Sequence, residues 1–266
     1  DTTVRYSWNG NANANSICSG MEFAVEHGAD VLSMSLGIAN ASVADRTMIR
    51  QTCVNTLQAG VIAAVAAGNE GDKLNSNPVP DNVRVPGSCP APWIHPDQQS
   101  NAGAKSCVVS VGTVNQNDKV AGTSSRGPVT WKNTSFGDYP YNPGIGLIRP
   151  DVCAPGVDII SLSHTGEGYA KMSGTSQATP CVAGVISLML SKNPNLTPAE
   201  ISEILERESA PKINIIAHLK EREYAITKKY KTVLVSGSTR TGKSTLLHKY
   251  IEFIKNDENI LLVIVD

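Results

Sequence analysis

Residues 174–180, Gly-Thr-Ser-Gln-Ala-Thr-Pro, form a small-residue turn that presents one serine and leads into an apolar run. The run over 181–190 has almost no polar face, which predicts a helix buried on all sides. Ser176 would begin this helix, where unpaired N–H groups and the helix dipole favour a developing anion. The nucleophile of an acyl transfer needs such a setting. A simple helix cap is the alternative, because Ser and Thr commonly begin helices.

Apolar patterns along the chain predict the elements that would hold this turn. They predict helices over 16–27 and 44–59, and strands over 31–36, 61–67, 107–114 and 157–163. The run over 61–67 is apolar throughout, which is typical of a parallel strand covered on both faces. Thr197 followed by Pro198 predicts the start of another helix. The chain is therefore expected to be an α/β protein.

Four further segments with recognisable motifs precede the serine turn. They are residues 28–37, 61–71, 124–128 and 149–156. Together they resemble the subtilisin-like serine peptidases over residues 15–206. The resemblance implies a three-layer fold with a parallel sheet, here incomplete, and the hydrolysis of peptide bonds without a cofactor.

The resemblance also implies roles for individual residues. Ser176 would be the nucleophile, and Asn69 would donate its side-chain amide to the oxyanion together with the Ser176 N–H. Asn69 also has an alternative interpretation, since an Asn after Gly68 is common in a left-handed turn. The segments that would pair with an extended peptide substrate contain Ser35, Leu36, Gly37 and Gly68.

The catalytic Asp and His of that family precede the serine, and no segment of this sequence matches theirs. His27 is followed by glycine, as in the family's histidine motif, but it fits the end of a helix. His95 and His164 lie in Pro- and Gly-rich segments that match no family position. Loss of the histidine alone costs about 10⁶-fold in subtilisin. We therefore expect negligible proteolysis from this chain by itself.

Residues 237–245 fit the phosphate-binding P-loop pattern between a predicted strand at 232–236 and a predicted helix at 246–255. Residues 213–266 resemble the opening strand, P-loop, helix and strand of the secretion and conjugation ATPases. The implied cofactor is Mg²⁺ with ATP, with Lys243 on the terminal phosphates and Ser244 on the metal. A chance match in a turn is the alternative. The predicted nucleotide-binding residues are Gly237, Ser238, Thr239, Arg240, Thr241, Gly242, Lys243, Ser244 and Thr245.

Composition changes where the two resemblances meet. Residues 1–204 carry 12 Lys and Arg against 16 Asp and Glu, whereas residues 205–266 carry 11 against 8. All six cysteines lie in the first part, and a charged amphipathic helix is predicted over 213–230. We therefore predict two domains, residues 1–206 and 207–266, and interpret the chain as two truncated domains joined near residues 204–212.

The overall charge of −1 gives no indication of a nucleic-acid partner, and no apolar run is long enough to span a membrane. The expected partners are a peptide substrate and ATP. The first resemblance favours a location outside the cytoplasm and the second a location inside it. Cys153 and Cys181 are predicted to be buried thiols, and Cys89 and Cys107 are the better pair for a disulfide. Six cysteines allow many pairings, which the sequence alone does not sort.

Overall fold

The computed structural model describes residues 13–71, 77–79, 81–90, 106–131, 147, 149–163, 168–209, 214–216, 232–235 and 261–264. The chain divides into two compact units, Asp1–Arg207 and Glu208–Asp266. The elements in chain order are α1 (Ala14–Glu26), β1 (Val31–Met34), α2 (Val43–Gln58), β2 (Ile62–Ala66), β3 (Val108–Val114), β4 (Val152–Pro155), β5 (Ile159–Leu162), β6 (Tyr169–Met172), α3 (Thr175–Lys192), α4 (Pro198–Glu208), β7 (Asn214–Ile216), β8 (Thr232–Val235) and β9 (Leu261–Ile264).

The first unit is built on a parallel sheet in the order β1-β2-β3-β4. Successive side chains of a strand point to opposite faces, and β2 shows this directly. Ala63 and Val65 belong to one core cluster with α1 and α2, whereas Ile62 and Ala64 belong to another with α3 and α4. Helices therefore cover both faces of the sheet, which confirms the predicted α/β fold with a parallel sheet.

The predicted helices and strands before the serine turn are observed with small changes at their ends. The helices α1, α2 and α4 each begin where a polar side chain accepts a backbone N–H. Asn13 accepts from the N–H of Ser16 at the start of α1, and Ser42 accepts from that of Asp45 at the start of α2. At α4 the hydroxyl of Thr197 pairs with the Glu200 carboxylate, and Glu200 in turn accepts the Thr197 N–H (2.8 Å).

One expectation about α3 is wrong. The helix was expected to be buried on all sides, but Val185 is 47% exposed and Leu188 is 71% exposed. Only the face that carries Ala178, Val182 and Ile186 packs on the sheet. Apolar composition identifies a helix, but the tertiary packing decides how much of its surface is covered.

The sequence analysis also missed β4 and β6, and it extended β5 too far. Four-residue strands carry little periodicity, so their pairing partners define them. Val152–Pro155 pairs with the end of β3, and Tyr169–Met172 pairs antiparallel with β5. The β5–β6 pair exposes Leu162 and Tyr169, which are opposite each other in the register.

The second unit contains a parallel sheet in the order β7-β8-β9. A strand was predicted at 232–236, and β8 confirms it. The ATPase resemblance implied a further strand after the P-loop helix, and β9 is a strand in that part of the chain. A helix was predicted over 213–230, but residues 214–216 form β7 instead, because this short run pairs with Val233–Val235 of β8. The P-loop residues 237–245 lie outside the described residues.

No helix in the described part of the chain has the length and apolarity needed to span a membrane.

Candidate active site

Ser176 is the second residue of α3, as predicted. The preceding Gly174 has φ +153°, a conformation that L side chains rarely adopt. A Cβ atom there would lie 3.1 Å from Nδ2 and 3.2 Å from Oδ1 of Asn69. Glycine at this position therefore lets the serine turn approach the Asn69 side chain closely.

The Asn69 side chain has a defined orientation. Its Oδ1 accepts hydrogen bonds from the N–H of Thr175 (3.0 Å) and from the Thr175 hydroxyl (3.2 Å). Because a backbone N–H can only donate, the atom facing Thr175 must be the amide oxygen. The Nδ2 group, which carries the two protons, is left as a donor beside Gly174.

Two donors near the serine have no acceptor among the described residues. One is Nδ2 of Asn69, and the other is the backbone N–H of Ser176 in the first turn of α3. The first N–H groups of a helix have no partner within the helix, and they lie at its positive end. An amide N–H group and the N–H at the start of a helix are the kinds of donor that can stabilise an oxyanion.

The Ser176 carbonyl is bonded in an unusual way. In a regular helix it would accept the N–H of residue 180, but Pro180 has no N–H. The Ser35 hydroxyl donates to this carbonyl instead, at 2.7 Å. In return the Ser176 hydroxyl donates to the Ser35 carbonyl at 3.3 Å. Ser35 follows β1, so this reciprocal pair links Ser176 to the segment expected to bind substrate.

The turn that carries Asn69 is supported by an ion pair between the buried Glu70 and the partly exposed Arg84. Glu70 is 3% exposed, and its Oε2 accepts the Asn69 N–H at 2.8 Å. The guanidinium of Arg84 donates to both carboxylate oxygens, and the Ser125 hydroxyl donates to Oε2. Burial alone would raise the pKa of Glu70, but the Arg84 and Ser125 contacts lower it overall. The carboxylate is therefore charged at neutral pH and fixes the Asn69 backbone.

The residues expected to line the substrate cleft occupy different environments. Ser35 is exposed, Leu36 is partly buried against the α1–α2 core, and Gly68 is buried. Gly37 is packed closely, because a Cβ there would lie 2.8 Å from Cβ of Arg84. The N–H of Gly68 donates to the Thr175 hydroxyl at 3.2 Å, which joins the Asn69 turn to the serine turn.

The hydrogen bond and the ring contact of His27 are made with α1 and do not involve Ser176. His27 caps α1, where its Nδ1 lies 2.7 Å from the Phe23 carbonyl and its ring stacks on that of Phe23. This confirms the interpretation of His27 as an exposed residue at a helix end. His95 and His164 lie outside the described residues. In the described part of the chain, the Ser176 hydroxyl has no partner besides the Ser35 carbonyl.

Sequence reasoning missed four supporting residues, Ser35 as a hydrogen-bond donor, Thr175, Glu70 and Arg84. One signal was available, since a proline four residues after Ser176 implies a free carbonyl that needs another donor. The identity of that donor depends on a contact between residues 141 positions apart.

Comparison with known proteins agrees with this geometry. The family model described as "Subtilase family" matches residues 2–248. The chain belongs to the subtilase family. It is 31% identical to serine protease AprX of Bacillus subtilis over 71% of this chain and 41% of that protein. It is 35% identical to pyrolysin of Pyrococcus furiosus over 66% of this chain and 12% of that protein.

Solved structures show the same fold. A cold-adapted subtilisin-like serine proteinase matches with a TM-score of 0.52 and 26% identity, over 78% of this chain and 58% of that chain. The prenylagaramide maturation protease PagA matches with a TM-score of 0.51 at 22% identity, over 76% of this chain and 59% of that chain, and this likeness concerns the fold alone. This subtilase chain spans about two fifths of the length of AprX.

Proposed function

We propose that this chain provides the nucleophile and the oxyanion donors of a subtilisin-like serine endopeptidase. Ser176 attacks the scissile carbonyl of a peptide substrate. The Nδ2 group of Asn69 and the Ser176 N–H receive the negative charge that forms on the carbonyl oxygen. Ser35, Leu36 and Gly37 bind the substrate backbone as an added strand. Gly68 was expected to join them, but its N–H is bonded to the Thr175 hydroxyl and its carbonyl to the Ser125 N–H, so it supports the cleft from within the fold.

The observation that carries this proposal is the orientation of Asn69. Its oxygen is held by two bonds from Thr175, so its N–H groups point away from Thr175 and remain available. A structural asparagine would be expected to use its donors within the fold. Here the donor stands beside the turn that presents the serine, and the ion pair of Glu70 with Arg84 holds its backbone.

Among the described residues, no general base contacts the Ser176 hydroxyl. This hydroxyl donates to a carbonyl, which stabilises the protonated form and does not increase nucleophilicity. We therefore propose that the 266 residues by themselves hydrolyse peptides negligibly. A histidine and its orienting acid have to complete the site before it turns over substrate.

A small diffusible base can replace the absent histidine and so test whether Ser176 is a nucleophile. The chain is incubated with a fluorophosphonate probe and increasing imidazole, and the intact mass reports the adduct. We expect imidazole to raise the labelling rate at Ser176 at least about 10-fold, since general bases contribute roughly 10²–10⁴-fold. Asn69→Ala should lower that rate by about 10²–10³, the cost of losing such a donor in subtilisin, a member of the same family.

Ser176→Ala should abolish labelling, and Ser173→Ala is the matched control. Ser173 lies in the same segment, but its hydroxyl accepts the Asp158 N–H at 2.8 Å and makes no contact with Asn69. Labelling that persists in Ser176→Ala would contradict the assignment of the nucleophile. Labelling of the unmodified chain without imidazole would contradict the proposal that the base is missing.

We propose as a second function the binding of Mg²⁺ with ATP at residues 237–245. The observation that supports it is the parallel pairing of β8 with β9, because a P-loop follows one strand of a parallel sheet. A P-loop begins at the carboxyl end of such a strand, and Lys243 and Ser244 have the chemistry that phosphate and Mg²⁺ require.

Thermal unfolding with and without Mg-ATP tests this second function. At 100-fold excess over Kd, ligand stabilises the binding unit by about 2.7 kcal/mol. The shift should disappear in Lys243→Ala and persist in Lys192→Ala, an exposed lysine at the end of α3. An equal shift in both variants would mean that ATP binds elsewhere, and no shift in the unmodified chain would refute the function.

A further inference from the structure

The serine turn rests on the end of β4. Gly156 directly follows this strand, and its carbonyl accepts the N–H of Gly174 at 2.8 Å. The N–H of Gly156 donates in turn to the carbonyl of Val114, the last residue of β3, at 3.1 Å. Two hydrogen bonds therefore connect the parallel sheet to the turn that presents Ser176, by a route that does not pass through Asn69.

Gly156 is buried and has no space for a side chain. A Cβ atom there would lie 2.1 Å from Oγ1 of Thr113, 2.6 Å from the carbonyl oxygen of Gly174 and 3.0 Å from Cβ of Ala178. Real Cβ atoms essentially never approach other atoms closer than 3.0 Å. The backbone of Gly156 is not in the left-handed region. Close contacts, and not an unusual φ angle, therefore require glycine at this position.

The contact at 2.6 Å involves the serine turn itself. The Gly174 carbonyl begins the hydrogen bonding of α3, since it accepts the N–H of Gln177 at 3.1 Å. Gly174 also lies against the Asn69 side chain, because a Cβ on Gly174 would be 3.1 Å from Nδ2. Gly174 thus touches both Gly156 and the amide that is proposed to donate to the oxyanion. A shift of Gly174 would change where the Ser176 N–H lies relative to that amide.

The contact at 2.1 Å involves a group that the serine turn does not use. Thr113 lies on β3 and is fully buried, and its Oγ1 has no hydrogen-bond partner among the described residues. Replacement of Thr113 by alanine would therefore remove this contact without breaking a hydrogen bond of the hydroxyl. The contact of Gly156 with Gly174 would remain. The two contacts can thus be separated by substitution.

We propose that Gly156 is a positioning residue for the nucleophile. Because it carries no side chain where the serine turn meets the end of β4, it fixes Gly174, and with it the Ser176 N–H, against the Asn69 amide. It acts through Gly174 and takes no part in the chemistry. Misplacement of reacting groups by about 1 Å can lower a rate by about 10²-fold. The inference rests on the proposed function of Ser176 and Asn69.

Four variants separate positioning from stability. Gly156→Ala introduces both contacts, and Gly156→Ala combined with Thr113→Ala keeps the contact with the serine turn while removing the closest one. Thr113→Ala alone is the reference for the double variant. Gly112→Ala is the matched control on β3, because a Cβ there would lie 2.7 Å from Sγ of Cys153 and 2.7 Å from Cγ of Pro150 but would not contact the serine turn.

Thermal unfolding and the imidazole-dependent labelling of Ser176 are measured for each variant. Tm should decrease in Gly156→Ala and in Gly112→Ala, but labelling should fall by about 10²-fold only in Gly156→Ala. In the double variant Tm should recover towards that of Thr113→Ala. Labelling should stay low, because the added Cβ still lies 2.6 Å from the Gly174 oxygen. A glycine with a purely structural role would let labelling recover together with Tm.

A nuclear Overhauser effect provides a measurement that needs no nucleophile. The side-chain amide protons of Asn69 and the Hα protons of Gly174 are close enough to give this signal in the unmodified chain. Its intensity should change in both variants that carry Gly156→Ala and should persist in Gly112→Ala. If the unmodified chain is never labelled at Ser176, the proposed function fails, and this signal still decides the positioning role.

Two results would overturn the inference. One is an unchanged Overhauser effect in Gly156→Ala, and the other is labelling that recovers together with Tm in the double variant. If Gly156→Ala does not fold, the double variant carries both measurements, since it lacks the closest contact.

Discussion

Replacement of Gly68 by alanine should damage the fold at the Asn69 turn. Gly68 has φ +114°, and it is packed on all sides. An added Cβ would lie 2.5 Å from Oε2 of Glu70, 2.9 Å from Cγ of Arg84 and 2.9 Å from Oγ of Ser125. Real Cβ atoms do not approach other atoms so closely, so the Glu70–Arg84 ion pair would have to move.

The cost has two parts. A non-glycine residue in a left-handed conformation costs roughly 1–2 kcal/mol. Overpacking of a filled site costs roughly 1–3 kcal/mol more. Gly68→Ala should therefore lower the free energy of unfolding by about 2–5 kcal/mol, which corresponds to a Tm decrease of roughly 5–15 °C for a unit of this size.

Gly60→Ala is the matched control. Gly60 follows α2 with φ +80°, but a Cβ there would meet nothing within 4 Å. This variant should therefore be destabilised only by its backbone conformation, by about 1–2 kcal/mol. Urea unfolding of both variants and of the unmodified chain measures the difference, which isolates the effect of the contacts.

Equal destabilisation by the two substitutions would refute the reasoning, because the contacts of Gly68 would then contribute nothing. A smaller effect at Gly68 than at Gly60 would show that the Glu70 and Arg84 side chains can move aside without cost. The imidazole-dependent labelling of Ser176 provides a second measurement. It should decrease in Gly68→Ala and remain unchanged in Gly60→Ala, since only Gly68 adjoins Asn69.

Three further substitutions test Glu70, the exposed face of α3 and the Ser35 hydrogen bond. The pKa of Glu70 is lowered in the folded state, so its contribution to stability is present above its unfolded pKa and is lost as pH falls through the folded pKa. Between about pH 7 and pH 3, the free energy of unfolding should therefore depend less on pH in Glu70→Gln than in the unmodified chain. Gly184→Ala should stabilise α3 by about 1 kcal/mol in urea unfolding, because a Cβ there meets nothing within 4 Å. Ser35→Ala should destabilise by about 1 kcal/mol and Ser35→Thr by less, since only the alanine lacks a donor for the Ser176 carbonyl; equal losses would contradict that role.

Local patterns were sufficient for much of the fold. The continuous apolar run at 61–67 predicted β2 as a strand covered on both faces, and every residue of β2 is buried. The capping residues predicted where α4 begins, because a cap acts within one turn and needs no tertiary partner. Such features depend on neighbours within a few residues, and the sequence contains that information directly.

Features that depend on pairing were predicted poorly. Residues 214–216 were predicted to belong to a charged amphipathic helix over 213–230, yet they form β7 against β8. The thiols of Cys153 and Cys181 were expected to be buried because their segments are apolar, yet both are exposed. The burial of a side chain depends on how one segment packs on another, and the composition of a segment does not indicate which of its faces is covered.

The sequence by itself determined the serine turn, its place at the start of α3, the family and the proline that frees the Ser176 carbonyl. Only the tertiary structure decided that Ser35 bonds to that carbonyl, that Thr175 orients Asn69 and that Arg84 neutralises Glu70. It also decided which cysteines share a core. The physical reason is that hydrogen bonds and packing act over a few ångströms, whereas these partners are brought together from distant positions by the register of the parallel sheet and by the helices packed on it.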